Sequence, residues 1–179
     1  MAANGDIPPK QQQVLAASLE LFAQQGFDNT TTKQIAEKAG VAEGTVYRRY
    51  KNKDELLAGV LAPFMTQVLP NLIQEFAQQV VAQPYLTRHE MLRAIVEDRL
   101  AFMKENGAIL RILIREVSVR NDLRSQFVMY ATPLLQDNLF PVLDRLKASG
   151  ELVEWPDSRI AQFMIGPMLT ELVRVVLRP

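Results

Sequence analysis

The sequence contains no cysteine and a single histidine, His89, among 179 residues. Without cysteine the chain has no disulfide and no thiolate metal ligand, and one histidine cannot build a histidine-based metal cluster. No plausible histidine-containing catalytic triad is apparent either. Neither a glycine-rich phosphate loop nor a nucleophile elbow is present. We therefore expect a protein that is not an enzyme, with no catalytic residue, no metal site and no cofactor.

An excess of one sign of charge is also absent, because 20 basic and 20 acidic residues cancel. A net charge of zero neither supports nor excludes nucleic-acid binding, because acidic residues elsewhere in the chain can offset the charge of a small basic patch. No secretory signal opens the chain and no run of about 18 apolar residues is present, so we expect no membrane span. Apolar residues make up 48% of the chain, which is enough for a packed core. The expectation is a soluble, cytoplasmic protein.

Apolar residues recur at helical spacing throughout the chain, and no segment has the alternation of a strand. The predicted fold class is all-α, with about nine helices in all. Pro63 and Pro70 should kink or break the long helix that starts at Asn52. One helix is expected to run from Asn121 or Asp122, as its cap, through Pro133 and Pro141 to Ala148. Helices are predicted over residues 9–25, 32–39, 43–50, 52–81, 88–105, 108–119, 121–148 and 158–179.

The stretch from Thr31 to Lys53 has the strongest local signals. Thr31 is of a residue type favoured at the N-cap and is followed three positions later by Gln34, the pattern of a capping box. Gly40 should stop that helix after about two turns. A second short helix follows, then Asn52 caps a third, which places Lys53 in a first helical turn. A helix N-terminus that carries a lysine is a good phosphate anchor.

The second short helix, about Glu43 to Tyr50, has two distinct faces. At 100° per residue, Val46 and Tyr50 point inward together. The outward face carries Gly44, Thr45, Arg48 and Arg49. Hydroxyls and arginines on one helix face suit insertion into a DNA groove, although basic residues in isolation are more often a solvated surface.

This pattern resembles the TetR family of bacterial transcriptional regulators, and the spacing matches without gaps across roughly residues 12 to 57. The residues that carry the resemblance are Leu21-Phe22, Gly26-Phe27, Thr31-Thr32, Ile35-Ala36, Ala39-Gly40-Val41, Gly44-Thr45, Tyr47, Tyr50, Lys53 and Leu56-Leu57. Beyond residue 57 only the length and the number of helices fit. The resemblance implies a helix-turn-helix DNA-binding domain with an N-terminal tail over residues 1–52, and a helical ligand-binding and dimerisation domain over residues 53–179.

The resemblance also implies roles for individual residues. It places Thr32 and Lys33 on backbone phosphate, and Glu43, Gly44 and Thr45 near base edges. Tyr47, Arg49 and Lys53 would contact phosphate, or bases in the case of Arg49. Arg48 has no strong family role, but its outward orientation on the helix favours a contact with DNA. The candidate DNA-binding residues are therefore Thr32, Lys33, Glu43, Gly44, Thr45, Tyr47, Arg48, Arg49 and Lys53.

Two positions depart from the family pattern. Ala42 stands where the family often has a serine, and alanine cannot cap the helix that follows, at a cost of about 1 kcal/mol. Glu43 stands where a basic or polar residue is common. Its carboxylate either accepts a hydrogen bond from cytosine N4 or pairs with a neighbouring side chain.

The last helix is apolar almost all round, so it must be buried in its own chain or against another copy. One helix-turn-helix motif reads only a few base pairs, and specific binding therefore needs two copies. We expect a four-helix bundle across a two-fold axis, formed by residues of about 134–147 and 159–176. The predicted interface residues are Leu139, Leu143, Leu146, Ile165, Leu169, Leu172 and Val176.

An effector pocket is expected in the helical body. Arg111 and Arg115 interrupt an apolar helix together with Glu116, so they either orient a ligand in a cavity or form surface ion pairs. Aromatic and methionine side chains at helical spacing are candidate walls, although such stripes are usually plain core. The candidate pocket residues are Phe102, Met103, Arg111, Arg115, Met129, Tyr130, Phe163 and Met164.

The function predicted is a DNA-binding transcriptional regulator, a ligand-responsive repressor that binds a palindromic operator as a homodimer. Its expected partners are double-stranded operator DNA, a second copy of the chain and an unknown small-molecule effector, with no membrane. Two alternatives stay open at this point. One is a helical protein-interaction module, and the other is a small-molecule-binding protein with a vestigial DNA-binding motif.

Overall fold

The computed structural model describes residues 7–82 and 88–177, and within these ranges every regular element is helical. The prediction of an all-α protein is confirmed. A π-helical turn, Phe64–Val68, separates the fourth and fifth α-helices. The α-helices are α1 (Pro9–Gln25), α2 (Thr32–Ala39), α3 (Glu43–Arg49), α4 (Lys53–Pro63), α5 (Leu69–Ala82), α6 (Arg88–Glu105), α7 (Gly107–Val119), α8 (Asn121–Asn138), α9 (Phe140–Ala148) and α10 (Asp157–Leu177).

Local signals set both ends of α1. Pro9 occupies the first helical turn, where its missing N–H costs nothing. Gly26 ends the helix with a φ of 87°, a conformation that residues with a side chain rarely adopt. The Phe27 ring then folds back to 5.3 Å from the Phe22 ring, as predicted. The chain is thereby directed from α1 into the start of α2.

Two interruptions of the longer helices lie beside a proline, although Pro133 and Pro167 lie inside α8 and α10. Regular α-helical hydrogen bonding ends at Pro63, and the π-helical turn follows before α5 begins at Leu69. The predicted interruption of this long helix is confirmed. The prediction of one helix over 121–148 is wrong, because the chain breaks at Leu139 into α8 and α9. Pro141 lies in the first turn of α9, where its missing backbone N–H leaves no hydrogen bond unmade. In the interior of a longer α8, the same proline would remove a helical hydrogen bond.

The predicted cap of α8 is also wrong. Arg120 is the N-cap residue, and no side chain caps the helix there. The corner between α7 and α8 is thus a single residue, since Arg120 also follows the last residue of α7. This geometry leaves the Arg120 side chain available for contacts with other parts of the chain.

One apolar core joins α1–α3, which we call the N-terminal unit, to α4–α10, which we call the body. It contains Phe22 and Ile35 from the unit together with Leu56, Leu57 and Ile112 from the body. The core therefore crosses the predicted boundary between residues 52 and 53 without a gap. Tight packing of this kind transmits small displacements from one part to the other.

A second, smaller core lies between α9 and α10. Leu139 and Leu143 are 1% and 0% exposed and pack with Ile160 and Ala161 of the same chain. The prediction that they form the dimer interface is wrong, because a side chain already buried in its own chain has no surface to offer a partner. Ile165 packs against this core and Leu146 is half-buried. Leu169 is exposed, and the side chains of Leu172 and Val176 lie outside the described part.

The segment Lys53–Gln78 is long and apolar enough to cross a membrane by length and composition alone, with a mean hydropathy of 1.6. This finding departs from the expectation that no such run exists. Leu56, Leu57 and Phe64 of this segment are nevertheless buried in the core shared with α1. At Leu56, Leu57 and Phe64, packing within the chain therefore explains why the segment is apolar.

Candidate nucleic-acid interface

A complete capping box fixes the start of α2. The Gln34 backbone N–H donates to Thr31 Oγ1 at 3.2 Å, and the Thr31 backbone N–H donates to Gln34 Oε1 at 2.8 Å. Both groups would otherwise be unpaired at a helix end. The predicted cap is confirmed. The first turn of α2 therefore presents Thr32 and Lys33 in a fixed orientation.

Gly40 forms the tight turn between α2 and α3. It adopts the left-handed conformation, with a φ of 66°, and the Val41 N–H donates to the Ala36 carbonyl oxygen at 3.0 Å. Ala42 then precedes α3 without any side-chain cap, as predicted. The start of α3 is consequently held by the backbone and by packing rather than by a capping side chain.

The two faces of α3 are as predicted. Val46 and Tyr50 are buried, and the Tyr50 hydroxyl accepts a hydrogen bond from Gln11 Nε2 at 3.0 Å. The helix itself ends one residue early, at Arg49, and Tyr50 caps it. The outer face is open to solvent, with Thr45 half-buried and the remaining residues exposed, namely Glu43, Gly44, Tyr47, Arg48 and Arg49.

Basic side chains border this outer face without acidic partners. Arg48 and Arg49 on α3 and Lys33 on α2 are exposed, and none of them forms an ion pair within residues 7–82 and 88–177. Exposed cations without acidic partners are the groups that neutralise DNA phosphates. The arrangement allows α3 to enter a groove with cations on both sides.

A hydrogen-bonded cluster ties α2 to α3 on the same surface. Thr32 Oγ1 lies 2.8 Å from Glu43 Oε1 and 2.9 Å from the Tyr47 hydroxyl. An ionised carboxylate only accepts, so Thr32 donates to Glu43 and Tyr47 donates to Thr32. The alternative in which Glu43 pairs with a neighbour therefore describes the free protein, and the neighbour is a threonine. Thr32 and Tyr47 would have to exchange these partners to bind phosphate.

Lys53 occupies a different place from the one predicted. Its ammonium lies 2.8, 3.4 and 3.1 Å from the carbonyl oxygens of Phe27, Asp28 and Thr30. It also lies 4.2 Å from the centre of the Phe27 ring. An ammonium has three donors, and all three have acceptors here. The predicted phosphate contact is thus replaced by an internal one, which holds the loop between α1 and α2.

Replacing Lys53 by alanine should therefore lower the melting temperature without changing the salt dependence of DNA binding. Loss of the ammonium leaves loop carbonyls unpaired, at a cost of about 1–3 kcal/mol. Thermal unfolding followed by circular dichroism measures the first effect. The slope of log affinity against log salt measures the second, and a decrease of about one would instead mean that Lys53 contacts phosphate.

The predicted pocket residues are not gathered around one cavity. Phe102 packs against Phe64, with ring centres 6.5 Å apart, and Met103 joins the same core. Arg111 and Arg115 are half-buried on α7, and Met164 packs against the second core. The prediction that Met129, Tyr130 and Phe163 line an internal pocket is wrong, because all three are exposed. Their helices turn these side chains outward, away from both cores.

Two charged side chains are buried in the body, and the sequence pattern draws attention to only one of them, Glu116. Arg99 on α6 pairs with Asp98, and its guanidinium carbon lies 5.4 Å from the centre of the Phe76 ring. Glu116 on α7 is also buried, and burial raises the pKa of its carboxyl, with a further increase from Asp28. In the sequence, a charged residue that will be buried looks the same as one that will be exposed. Only the packing of the folded chain shows which of the two it is.

Two open cavities flank these elements. A groove of about 520 Å³ lies between α1, the end of α3 and α4, with Arg49 and Tyr50 at its rim. A cleft of about 340 Å³ lies between α5 and the α8–α9 corner, lined by Gln74, Ala77 and Arg145. Neither cavity contains the predicted pocket residues.

Comparison with known proteins accounts for this architecture. Residues 14–60 match the family model of the bacterial regulatory proteins of the tetR family. A fatty acid metabolism regulator protein of Bacillus subtilis (strain 168) is 26% identical over 166 residues, covering 92% of this chain and 82% of the relative. An uncharacterized HTH-type transcriptional regulator of Mycobacterium bovis is 30% identical over 151 residues, covering 81% of this chain and 68% of the relative.

Solved structures share the fold along nearly the whole chain. The transcriptional regulator FadR from Bacillus subtilis in complex with stearoyl-CoA superposes with a TM-score of 0.68 at 24% identity, over 93% of this chain and 87% of that one. The fatty acid degradation regulator FadR from Bacillus halodurans gives a TM-score of 0.64 at 19% identity, over 97% and 87%. The chain belongs to the tetR family of bacterial regulatory proteins and is a DNA-binding transcriptional regulator.

Proposed function

We propose that the protein is a cytoplasmic, effector-responsive repressor that binds a palindromic operator as a homodimer. The observation that carries the proposal is the exposed outer face of α3, with Arg48 and Arg49 free of acidic partners among the described residues. One copy presents one such helix, which reaches only a few base pairs. Two copies with their recognition helices about 34–36 Å apart, or a multiple, would read two half-sites.

Exposed apolar side chains on α8 and α10 support the homodimer. Met129 is 72% exposed on α8, and Phe163 and Leu169 are 65% and 51% exposed on α10. Large apolar side chains grouped on two helices commonly mark a protein interface. Because α9 is occupied by the second core, we propose α8 and α10 from each copy as the four-helix bundle, with Leu169 in the interface.

We propose a long-chain acyl-CoA as the class of effector. The name of the Bacillus subtilis relative refers to fatty acid metabolism, and the structure with the same fold contains stearoyl-CoA. Such a ligand combines a long apolar chain with several phosphate charges. The body offers apolar helices together with the buried Arg99 and the half-buried Arg111 and Arg115. These residues suit an amphipathic anion better than a neutral ligand.

Fluorescence anisotropy with labelled DNA from the intergenic region upstream of the gene tests this function. The dimer should bind specifically, with a Kd of about 10⁻⁸ M or lower at physiological salt. Addition of stearoyl-CoA should release the DNA, whereas coenzyme A alone and stearate alone should not. A shuffled DNA of the same length and composition is the control for non-specific binding.

The two parts of the proposal fail separately. Equal affinity for the upstream and shuffled DNA would contradict a sequence-specific repressor. Specific binding that stearoyl-CoA leaves unchanged would contradict the effector class alone.

A further inference from the structure

Arg120, at the corner between α7 and α8, contacts both α4 and the loop between α1 and α2. Its Nη1 atom lies 2.6 Å from Oδ1 of Asp54 in the first turn of α4. Its guanidinium carbon lies 5.3 Å from the centre of the Phe27 ring, in the loop between α1 and α2. Arg120 therefore contacts the loop that precedes α2 as well as the helix that follows the recognition helix.

Phe27 connects Arg120 to the start of α2. The same ring lies under the Lys53 ammonium, and Lys53 holds the carbonyl oxygens of Phe27 and Thr30. Thr30 immediately precedes Thr31, whose capping box fixes the first turn of α2. A change at Arg120 consequently reaches Thr32 and Lys33 through a short chain of direct contacts.

Arg120 also has a second acceptor, which belongs to the body. Its Nη2 atom lies 3.4 Å from Oδ2 of Asp122 in the first turn of α8. Asp54 and Asp122 thus flank one guanidinium, and the shorter contact is the one to Asp54. A small shift of α8 relative to α7 changes how Arg120 is shared between the two carboxylates.

Only the arginine side of this contact is shielded from water, because the Asp54 side chain is 59% exposed. The Arg120 side chain is 25% exposed, and Glu116 lies buried one turn before it on α7. The charges that act on Glu116 come from Asp28 on the loop, Lys53 on α4, and Arg115 and Arg120 on α7. Charges that are partly removed from water interact over longer distances and are less screened by salt.

We propose that Arg120 is the positioning residue that couples the body to the DNA-binding surface. With Arg120 on Asp54, the start of α2 and the start of α4 are held in the arrangement that meets DNA. An effector that moves α8 transfers Arg120 to Asp122 and loosens the loop at Phe27. The inference rests on the proposed effector-responsive function and names the contact through which the response travels.

Operator affinity of five variants tests the coupling. Arg120→Gln and Asp54→Asn should each weaken binding by about tenfold, and the double variant should be no weaker than either single one. Asp122→Asn removes the competing acceptor and should tighten binding. A merely structural role for this corner does not predict a gain from Asp122→Asn. Arg120→Lys, which keeps the charge, should recover part of the affinity.

Arg124→Gln is the matched control, because the Arg124 side chain lies on α8 and donates to the neighbouring Asn121 rather than to Asp54 or Asp122. Its affinity should equal that of the wild type. Circular dichroism checks that each variant is folded. Additive losses in the double variant, or an unchanged Asp122→Asn variant, would overturn the coupling while leaving DNA binding established. A wild-type protein that binds no DNA would overturn the proposed function together with this inference.

Discussion

Replacing Arg48 and Arg49 together by alanine should weaken operator binding by about 100-fold at physiological salt. The slope of log affinity against log salt should also fall by about two, because each arginine that neutralises a phosphate releases about one counterion. Both side chains are exposed on α3 and have no acidic partner within the described residues. Their charge is therefore available to DNA without breaking an internal contact. Fluorescence anisotropy at several salt concentrations measures both quantities.

The control for this prediction removes the same charge elsewhere. Arg93 and Lys104 are exposed on α6, outside the proposed interface helices, and their replacement by alanine lowers the net charge by the same amount. If long-range charge alone governed binding, the two double variants would behave alike. A slope that stays at the wild-type value in the Arg48 and Arg49 variant would show that neither residue contacts phosphate.

The N-terminal unit could be predicted closely because its determinants are local. The Thr31 and Gln34 capping box, the left-handed Gly40 and the inward Val46 each depend on residues within four positions. Signals of this range are visible in a single sequence. The missing cap at Ala42 was equally predictable, since it follows from one residue type.

Contacts between residues far apart in sequence could not be predicted. Arg120 meets Asp54, and Lys53 meets the Phe27 and Thr30 carbonyls, across tens of residues. Nothing in the local pattern distinguishes a lysine that holds a loop from one that binds phosphate. The motif therefore predicts which surface meets DNA, while the tertiary contacts decide which cations on that surface are free of internal partners.

The body shows a different limit of the sequence. An apolar helix must be buried, but periodicity alone does not say whether the same chain or a second copy covers it. Leu143 and Leu169 look alike in sequence, yet one is in the core and the other is on the surface. For the same reason, the sequence predicted that Met129 and Phe163 line a pocket, whereas the structure exposes both side chains.

Replacing Leu169 by glutamate should convert the dimer to a monomer and leave its helicity largely unchanged. Leu169 is exposed within one chain, so a carboxylate there disturbs no internal packing, but it would be buried unpaired in the proposed α8–α10 bundle. Operator affinity should fall by about 100-fold or more, because the second half-site no longer binds at the effective concentration set by the dimer. Sedimentation at micromolar concentration and anisotropy measure the two effects.

Two comparison variants separate an interface from a core. Val96→Glu, on the exposed surface of α6, should leave both the dimer and the DNA affinity intact. Leu143→Glu should unfold the chain instead of dissociating it, because the carboxylate enters the core between α9 and α10. A Leu169→Glu variant that stays dimeric would place the interface elsewhere. If it were monomeric and still bound the operator at full affinity, the requirement for two recognition helices would be wrong, since one copy of α3 would then suffice for specific binding.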